Sequence, residues 1–172
     1  MPNRETCSYS TSTTEFRTNS HLPQNILNNV FAGTYNLKPN PGGLGVLWDK
    51  NVAFCFVRPT RHTYGFMNQN ETFTLSFFDE RYRSVLTYCG SHTGKHVDKV
   101  KKCGITPVAG SVDDVYFAEA RLVLECRKIY FADINPSAFL AQTLTDVYPE
   151  KDYHRMFIGE IEHVLGREPT KS

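Results

Sequence analysis

The chain has 172 residues, of which 40% are hydrophobic and 13% aromatic; this suits one globular domain with a sizeable core and excludes an intrinsically disordered chain. The formal net charge is +1, so composition gives no electrostatic argument for binding nucleic acid or an anionic membrane surface. The five cysteines include no CxxC pair, which argues against a disulfide framework or a metal site built from four thiolates.

The two ends of the chain differ in character. Residues 6–14 read TCSYSTSTT, and this Ser/Thr-rich run predicts a mobile tail over residues 1–20. Residues 21–172 are predicted to form a single domain. No apolar run approaches the ~20 residues of a membrane helix, and no secretory signal is visible, so we expect a cytoplasmic protein with reduced thiols.

The first regular elements surround a proline. Asn51–Arg58 (NVAFCFVR) is apolar at alternate positions on both sides, which predicts a strand buried on both faces that Pro59 ends. Thr63–Gln69 (TYGFMNQ) predicts a short helical turn. Phe73–Phe78 (FTLSFF) alternates and predicts a second strand.

Two helices are predicted next. Asp79 is placed to cap a helix from about Glu80 to Tyr88, and Gly90 is placed to end it. A second short helix is predicted from near Lys95 to Gly104, with the loop SHTG between the two helices.

The last third of the chain predicts two strands and a helix. Tyr116–Lys128 alternates between apolar residues and charged residues such as Glu125, which predicts one long, half-exposed strand. Asn135 and Pro136 predict the start of a helix that carries four apolar residues: Phe139, Leu140, Leu144 and Val147. Met156–Leu165 predicts a final strand, in which Gly159 suggests close approach by backbone or a ligand. The element order favours a mainly β, α+β fold or a β-barrel with inserted helices.

The stretch YCGSHTGKHVDK, residues 88–99, has the composition of a phosphate site. It is not a nucleotide P-loop, because Gly90 and Gly94 are one residue too close and His96 occupies the position of the magnesium-binding hydroxyl. Ser91, Thr93 and the amides of the following helix can still bind a phosphate, with Lys95 adding charge. The alternative is an ordinary connection between helices with a solvated lysine.

A second candidate anion site follows the first strand. In the run RPTR, Arg58 and Arg61 flank Thr60, and two guanidinium groups around a hydroxyl suit charge-assisted hydrogen bonds to phosphate. The alternative is a solvated strand end.

Five segments in order carry a resemblance to a known family: VRPTRHTYGFM, FTLSFF, YCGSHTGKHVDK, EARLVLECRKIY and DYHRMFIGEI. From about Gly42 to Glu162 the chain resembles the flavin reductase-like, FMN-binding split-barrel family, and within it the flavoredoxin-like branch. The resemblance implies a six-stranded split β-barrel with inserted helices. It also implies a homodimer that binds FMN near the subunit interface.

The resemblance leaves the activity open. Members of the family either reduce free flavin with NADH or NADPH, or use bound FMN to pass electrons to a partner protein. A non-catalytic flavin-binding or structural dimer is the main alternative. An oxidase of the pyridoxamine-phosphate type, which shares the split barrel, is a weaker one.

The resemblance also implies site residues. Those implied to bind the FMN phosphate and ribityl chain, or to lie beside them, are Arg58, Thr60, Arg61, Thr63, Ser91, Thr93, Gly94 and Lys95. Those implied to lie by the flavin ring are Trp48, Ser76 and Phe77. Cys89, beside the loop, is either a redox thiol or a packed residue. His154 either faces the flavin or the hydride donor, or is a structural histidine at a strand start.

One segment departs from the family pattern. Residues 36–41 read NLKPNP, where related sequences usually carry an Asn-x-Met-Thr type strand that contacts the flavin ring. Two prolines make a paired strand unfavourable there. A true loss of that strand would weaken ring binding, and it motivates the non-catalytic alternative.

Overall fold

The computed structural model describes residues 30–33, 42–92, 96–111 and 114–166. The strands in this part of the chain are β1 Val30–Gly33, β2 Gly42–Leu47, β3 Lys50–Val57, β4 Thr72–Phe77, β5 Pro107–Ala109, β6 Val115–Phe117, β7 Leu122–Asp133 and β8 Arg155–Gly166. The α-helices are α1 His62–Gln69, α2 Arg83–Ser91 and α3 Lys99–Cys103. Residues 1–20 and 36–41, for which we predicted a tail and an unpaired segment, lie outside the described residues.

Six strands form one sheet in the order β1-β4-β7-β8-β3-β2, and β5 pairs with β6 in a separate hairpin. The contact between β1 and β4 is parallel, and the other strand pairs are antiparallel. The mainly β, α+β class predicted from the element order is confirmed. Among the described residues, no helix is both long enough and apolar enough to cross a membrane.

Two hydrophobic clusters hold these elements together. The first joins β3, β4, β7, β8 and α1 through Ala53, Cys55, Val57, Met67, Phe73, Leu124, Cys126 and Phe157. The second joins Phe78, which directly follows β4, to β7 and the β5–β6 hairpin, and residues of α2 and α3 pack against it. The predicted strands at 51–58, 73–78 and 156–165 and the helical turn at 63–69 are confirmed. Phe54 and Phe56 are only half-buried, so one face of β3 is less enclosed than the other.

Gly159 makes the close approach that its place in a strand suggested, but its neighbour is an aromatic ring. A Cβ atom added at Gly159 would lie 2.6 Å from Cε1 of Phe73 and 2.9 Å from Cβ of Cys126. Both neighbours are 0% exposed. The absent side chain at this position therefore lets β8 lie against the Phe73 ring.

The prediction of one strand over Tyr116–Lys128 is wrong. The chain turns between β6 and β7, where the amide of Ala118 donates to Thr106 O at 2.9 Å and that of Arg121 to Phe77 O at 2.8 Å. Glu125, predicted to be exposed, is 0% exposed. Its Oε1 accepts the amide of Ser111 at 3.1 Å and its Oε2 lies 3.2 Å from His163 Nδ1, so polar partners accompany its burial.

The predicted helix boundaries also need correction. Asp79 makes no side-chain cap, a 3₁₀ turn occupies Glu80–Tyr82, and α2 continues through Gly90 to Ser91. The next helix begins at Lys99 instead of Lys95, because the Asp98 side chain accepts the Lys101 amide and caps it there. Its predicted end at Gly104 is confirmed, with Gly104 in the left-handed conformation at φ 65°.

The helix predicted after Asn135 is replaced by two 3₁₀ turns, at Pro136–Ala138 and Gln142–Val147. The Asn135 cap is present, since its side chain accepts the Ser137 amide at 3.0 Å. Leu140, Leu144 and Val147 are exposed and do not form the buried face of a helix. With no apolar partner surface among the described residues, these side chains do not sustain a longer helix.

Candidate functional site

The ends of two adjacent strands bring the predicted RPTR run beside the DYH run. Val57, the last residue of β3, pairs with Arg155, the first residue of β8. Residues 58–61, which follow β3, therefore lie beside residues 152–154, which precede β8. We call this place the β3–β8 junction. The Arg61 amide donates to the Arg58 carbonyl at 3.0 Å and closes a turn there.

Arg58 is held by partners within the chain. Its Nη1 lies 3.4 Å from both Asp152 carboxylate oxygens, and its Nη2 donates to Val147 O at 2.9 Å. The guanidinium carbon also lies 4.8 Å from the centre of the Tyr148 ring. This arginine therefore has a structural role that fastens the 142–147 turn to the end of β3.

Asp152 is the acidic centre of the junction. It accepts the Thr60 hydroxyl at 2.9 Å in addition to the contacts from Arg58. Burial by itself raises the pKa of the Asp152 carboxyl, but the Thr60 hydrogen bond and the Arg58 charge outweigh this effect, so the net shift is downward. Asp152 is thus held as a carboxylate that orients Arg58 and Thr60.

Arg61 differs from Arg58 in its surroundings. Its side chain is exposed, and among the described residues no carboxylate lies within ion-pair distance of it. Arg61 also occupies the cap position of α1, where no side chain caps the first-turn amides. Uncapped amides at a helix start, together with a free guanidinium, favour an anion.

A second cation lies near Arg61. Burial lowers the pKa of Lys99, and the charge of Arg61 lowers it further, against opposing contributions from Cys89 and Cys103. Lys99 Nζ donates to the carbonyl oxygen of Cys89 at 2.5 Å, at the end of α2. Arg61 and Lys99 therefore act on each other electrostatically, and we call these two cations the Arg61–Lys99 pair.

His154 is partly enclosed at the same junction. Its Nδ1 shares a 2.8 Å hydrogen bond with the Tyr148 hydroxyl. Burial lowers the pKa of His154, and the charges of Arg58 and Arg61 lower it further, while Asp152 acts in the opposite direction. The imidazole is therefore neutral at pH 7. The hydrogen bond to Tyr148 fits the structural role.

The charge of Arg58 gives a testable titration. We expect the pKa of His154 to lie below 6.5, and Arg58→Gln to raise it, because a nearby positive charge disfavours the imidazolium. Since the folded state binds this proton more weakly than the unfolded state, His154 lowers stability as pH falls below about 6.5. NMR titration of the imidazole protons measures the shift, and Arg81→Gln is the matched control at an exposed arginine. An unchanged His154 pKa in Arg58→Gln would contradict the assignment.

The structure describes only part of the predicted SHTG loop. Ser91 is the last residue of α2, and its hydroxyl donates to Thr87 O at 2.9 Å, so it is not a free loop hydroxyl. Cys89, two residues earlier in the same helix, is half-buried. Thr93, Gly94 and Lys95 lie outside the described residues, and their predicted contacts with phosphate stay predictions.

The structure also places four other residues that were predicted to lie at the FMN site. Thr63 is in the first turn of α1 and Phe77 packs on the first core cluster. Ser76 is 0% exposed and its hydroxyl oxygen has no hydrogen-bond partner. Trp48 lies beyond the opposite end of the eight-residue β3, about 25 Å from Arg58 at ~3.3 Å per residue. One chain therefore does not bring Trp48 to the Arg61–Lys99 pair.

Trp48 occupies an unusual turn. It and Asp49 link β2 to β3 with φ angles of 53° and 57°, in the left-handed region that bulky side chains rarely adopt. Its ring is 57% exposed and lies edge-on to Tyr130, 6.0 Å away between centroids.

Sequence reasoning missed three residues: Asp152 at the junction, Tyr148, which contacts Arg58 and His154 there, and Lys99, whose pKa the Arg61 charge lowers. Asp152 stands two positions before His154 in the DYH run, and Lys99 ends the YCGSHTGKHVDK stretch. An acid two positions before the proposed site residue His154 was thus a usable signal for Asp152. Tyr148 had no local signal, because its role depends on contacts with Arg58 and His154.

The comparisons with known proteins agree with this architecture. The model of the flavin reductase like domain matches residues 49–172. The chain is similar to an FMN-binding protein of Thermus thermophilus, with 20% identity, a TM-score of 0.59, and coverage of 76% of this chain and 63% of that one. It is similar to the flavoredoxin of Desulfovibrio vulgaris (Miyazaki F), with 24% identity, a TM-score of 0.57, and coverage of 74% and 58%.

A flavoredoxin of Methanosarcina acetivorans is also similar, with 20% identity, a TM-score of 0.59, and coverage of 74% of this chain and 58% of that one. These likenesses confirm the split β-barrel fold. The chain spans about three fifths of the length of these relatives, 58–63%. Comparison with the curated proteins gave no significant match.

Proposed function

The chain belongs to the flavin reductase-like family, and on that premise we propose that it binds FMN and acts as an oxidoreductase. Family membership supports a flavin-related oxidoreductase function in general. Within it, the proposed activity is either reduction of flavin by NADH or NADPH or, as in a flavoredoxin, electron transfer to a partner protein. The exposed guanidinium of Arg61 at the start of α1 is the observation that carries the proposal.

The proposal assigns different tasks to the two arginines. Arg58 is occupied by Asp152 and Val147, so it positions the turn. Arg61, with the uncapped first-turn amides of α1 and Lys99 nearby, binds the FMN phosphate by charge-assisted hydrogen bonds. Thr63, half-buried in that first turn, lies beside the phosphate end.

The roles proposed for these residues follow from the chemistry of the flavin. The bound flavin accepts and donates the electrons, and the protein supplies binding, orientation and electrostatics. The Arg61–Lys99 pair anchors the anionic end. The neutral His154, fixed by Tyr148 at 2.8 Å, provides a polar edge without adding positive charge.

The direct test is the visible absorbance spectrum of the purified protein, before and after incubation with FMN. We expect a flavin spectrum that stays with the protein through gel filtration. Anaerobic addition of NADH or NADPH should then bleach that spectrum if the protein is a flavin reductase. Bleaching only by a reduced protein partner would favour the electron-transfer role. No retained flavin after incubation would overturn FMN binding and favour the non-catalytic structural alternative.

We propose in addition that two copies associate. The edge strand β2 exposes Leu44 and Val46, at 55% and 73%, and Trp48 follows them. Exposed apolar residues on an open strand are a typical association surface. A second copy on β2 would also supply apolar groups for the ring end of FMN that the Arg61–Lys99 pair of the first copy lacks.

Sedimentation equilibrium measures this association. We expect a dimer, and we expect Val46→Lys to weaken it by at least tenfold, because a charge at a desolvated interface costs free energy. Val164→Lys is the control, since Val164 is an exposed valine at 46% on another strand. A monomer at all concentrations, or equal effects of both substitutions, would contradict the use of β2.

A further inference from the structure

Two cysteines face each other next to the Arg61–Lys99 pair. Cys89 lies in the last turn of α2 and Cys103 ends α3, and their Sγ atoms are 3.8 Å apart. Both thiols are free and half-buried. Sulfur atoms at this distance are in contact but not bonded, because a disulfide bond is about 2.05 Å long.

A hydrogen bond and the two caps of α3 fix the backbone around the two thiols. Lys99 Nζ donates to the Cys89 carbonyl at 2.5 Å and so ties the start of α3 to the end of α2. Asp98 caps the start of α3, and Gly104 takes the left-handed conformation just after Cys103. To reach bonding distance, the two sulfurs need to approach each other by about 1.8 Å.

The other described cysteines are buried and almost inaccessible to solvent. Cys55 is 2% exposed and Cys126 is 0% exposed, and both belong to the first core cluster. Burial raises the pKa of Cys55 to about 12 and raises that of Cys126 as well. Of the described thiols, Cys89 and Cys103 are thus the ones that a small oxidant can reach.

We propose that Cys89 and Cys103 form a redox-active dithiol that closes reversibly into an intramolecular disulfide, with external disulfides as its oxidants. One thiolate attacks a sulfur of the external disulfide, which forms a mixed disulfide and releases one thiolate. The second cysteine then attacks the protein sulfur of the mixed disulfide and releases the other thiol. The protein loses two electrons and two protons, and the external disulfide gains them as two thiols.

The surroundings set the rate of this exchange. Burial and the neighbouring Cys103 raise the pKa of Cys89 to about 11, while the Lys99 ammonium acts in the opposite direction. Since the thiolate is the attacking species, the exchange should be slow at pH 7. Its rate should rise about tenfold per pH unit between pH 7 and pH 9 if Cys89 attacks first.

The test uses glutathione disulfide as the oxidant and needs no flavin, so its outcome is independent of the proposed function. All proteins carry Cys7→Ser, which removes the cysteine outside the described residues. After incubation at pH 8.5 the protein is denatured, alkylated and analysed by mass spectrometry. We expect the loss of two alkylation sites, a peptide pair joined through Cys89 and Cys103, and no retained glutathione.

The single variants Cys89→Ser and Cys103→Ser separate closure from simple thiol access. Each should retain one glutathione as a trapped mixed disulfide, because the second cysteine is absent. Circular dichroism verifies that both variants fold. The proposal is overturned if the protein with both cysteines retains glutathione on either, keeps both thiols alkylatable, or forms only disulfides between chains.

Discussion

Replacing Arg61 by alanine is expected to weaken FMN binding by about 10- to 100-fold, the range expected for a charge-assisted hydrogen bond to phosphate. Binding of riboflavin, which lacks the phosphate, is expected to change by less than about twofold. The reason is that the Arg61 guanidinium is exposed without a carboxylate partner among the described residues, so its removal leaves no broken contact in the fold. Quenching of flavin fluorescence on titration measures both affinities.

Two control variants strengthen this test. Arg81→Ala removes an exposed arginine of the 3₁₀ turn before α2 and should leave both affinities unchanged. Arg58→Ala should lower the melting temperature as well as FMN affinity, because it removes the guanidinium that contacts Asp152 and Val147 O. Equal losses for FMN and riboflavin in Arg61→Ala would show that Arg61 does not contact the phosphate.

Substituting Gly159 by alanine is expected to destabilise the fold by about 3 kcal/mol, at the upper end of the usual range for an overpacked core. The new methyl group would lie 2.6 Å from the Phe73 ring and 2.9 Å from Cys126 Cβ, and both neighbours are fully buried with no room to retreat. For a chain of this size the loss corresponds to a fall in melting temperature of roughly 6–12 °C. Thermal and urea unfolding followed by circular dichroism measure it.

The control for Gly159→Ala lies on the same strand. Gly166→Ala places a methyl group where nothing lies within 4 Å, so a change of less than about 0.5 kcal/mol is expected. Phe73→Leu removes the ring carbons that the methyl meets, so the double variant with Gly159→Ala should lose less stability than the two single losses added together. Strict additivity would mean that the strain does not arise from Phe73.

The sequence predicted strands best where apolar residues alternate within one element. Asn51–Arg58 and Met156–Leu165 fall within one residue of β3 and β8, because both pack in the core. The same signal misled at Tyr116–Lys128, where Ala118–Arg121 alternates as a strand would. That segment turns because Thr106 O and Phe77 O accept its amides, and these acceptors are distant in sequence.

The Asn135 signal shows a related limit. The cap forms as local chemistry predicts, yet the first turn ends at Ala138, since continuation of a helix depends on tertiary packing. Local propensity thus located the beginning of an element better than its length.

At the site, the sequence identified the segments but not the roles. Arg58 and Arg61 look equivalent in RPTR, and what distinguishes them is Asp152, 94 positions from Arg58. A contact at that separation is created by the pairing of β3 with β8 and has no local pattern. The contact between the Cys89 and Cys103 sulfurs likewise depends on how α2 and α3 pack, although both cysteines were visible in the sequence.

The hairpin between β2 and β3 carries the single tryptophan of the chain, and this gives the protein a built-in optical reporter. Trp48 is half-exposed at the tip, beside Tyr130. The wavelength of its fluorescence emission maximum therefore reports the polarity around this hairpin alone. A blue shift on concentrating the protein would therefore locate self-association at this hairpin. Loss of the same emission on adding flavin would measure how near the chromophore comes to it.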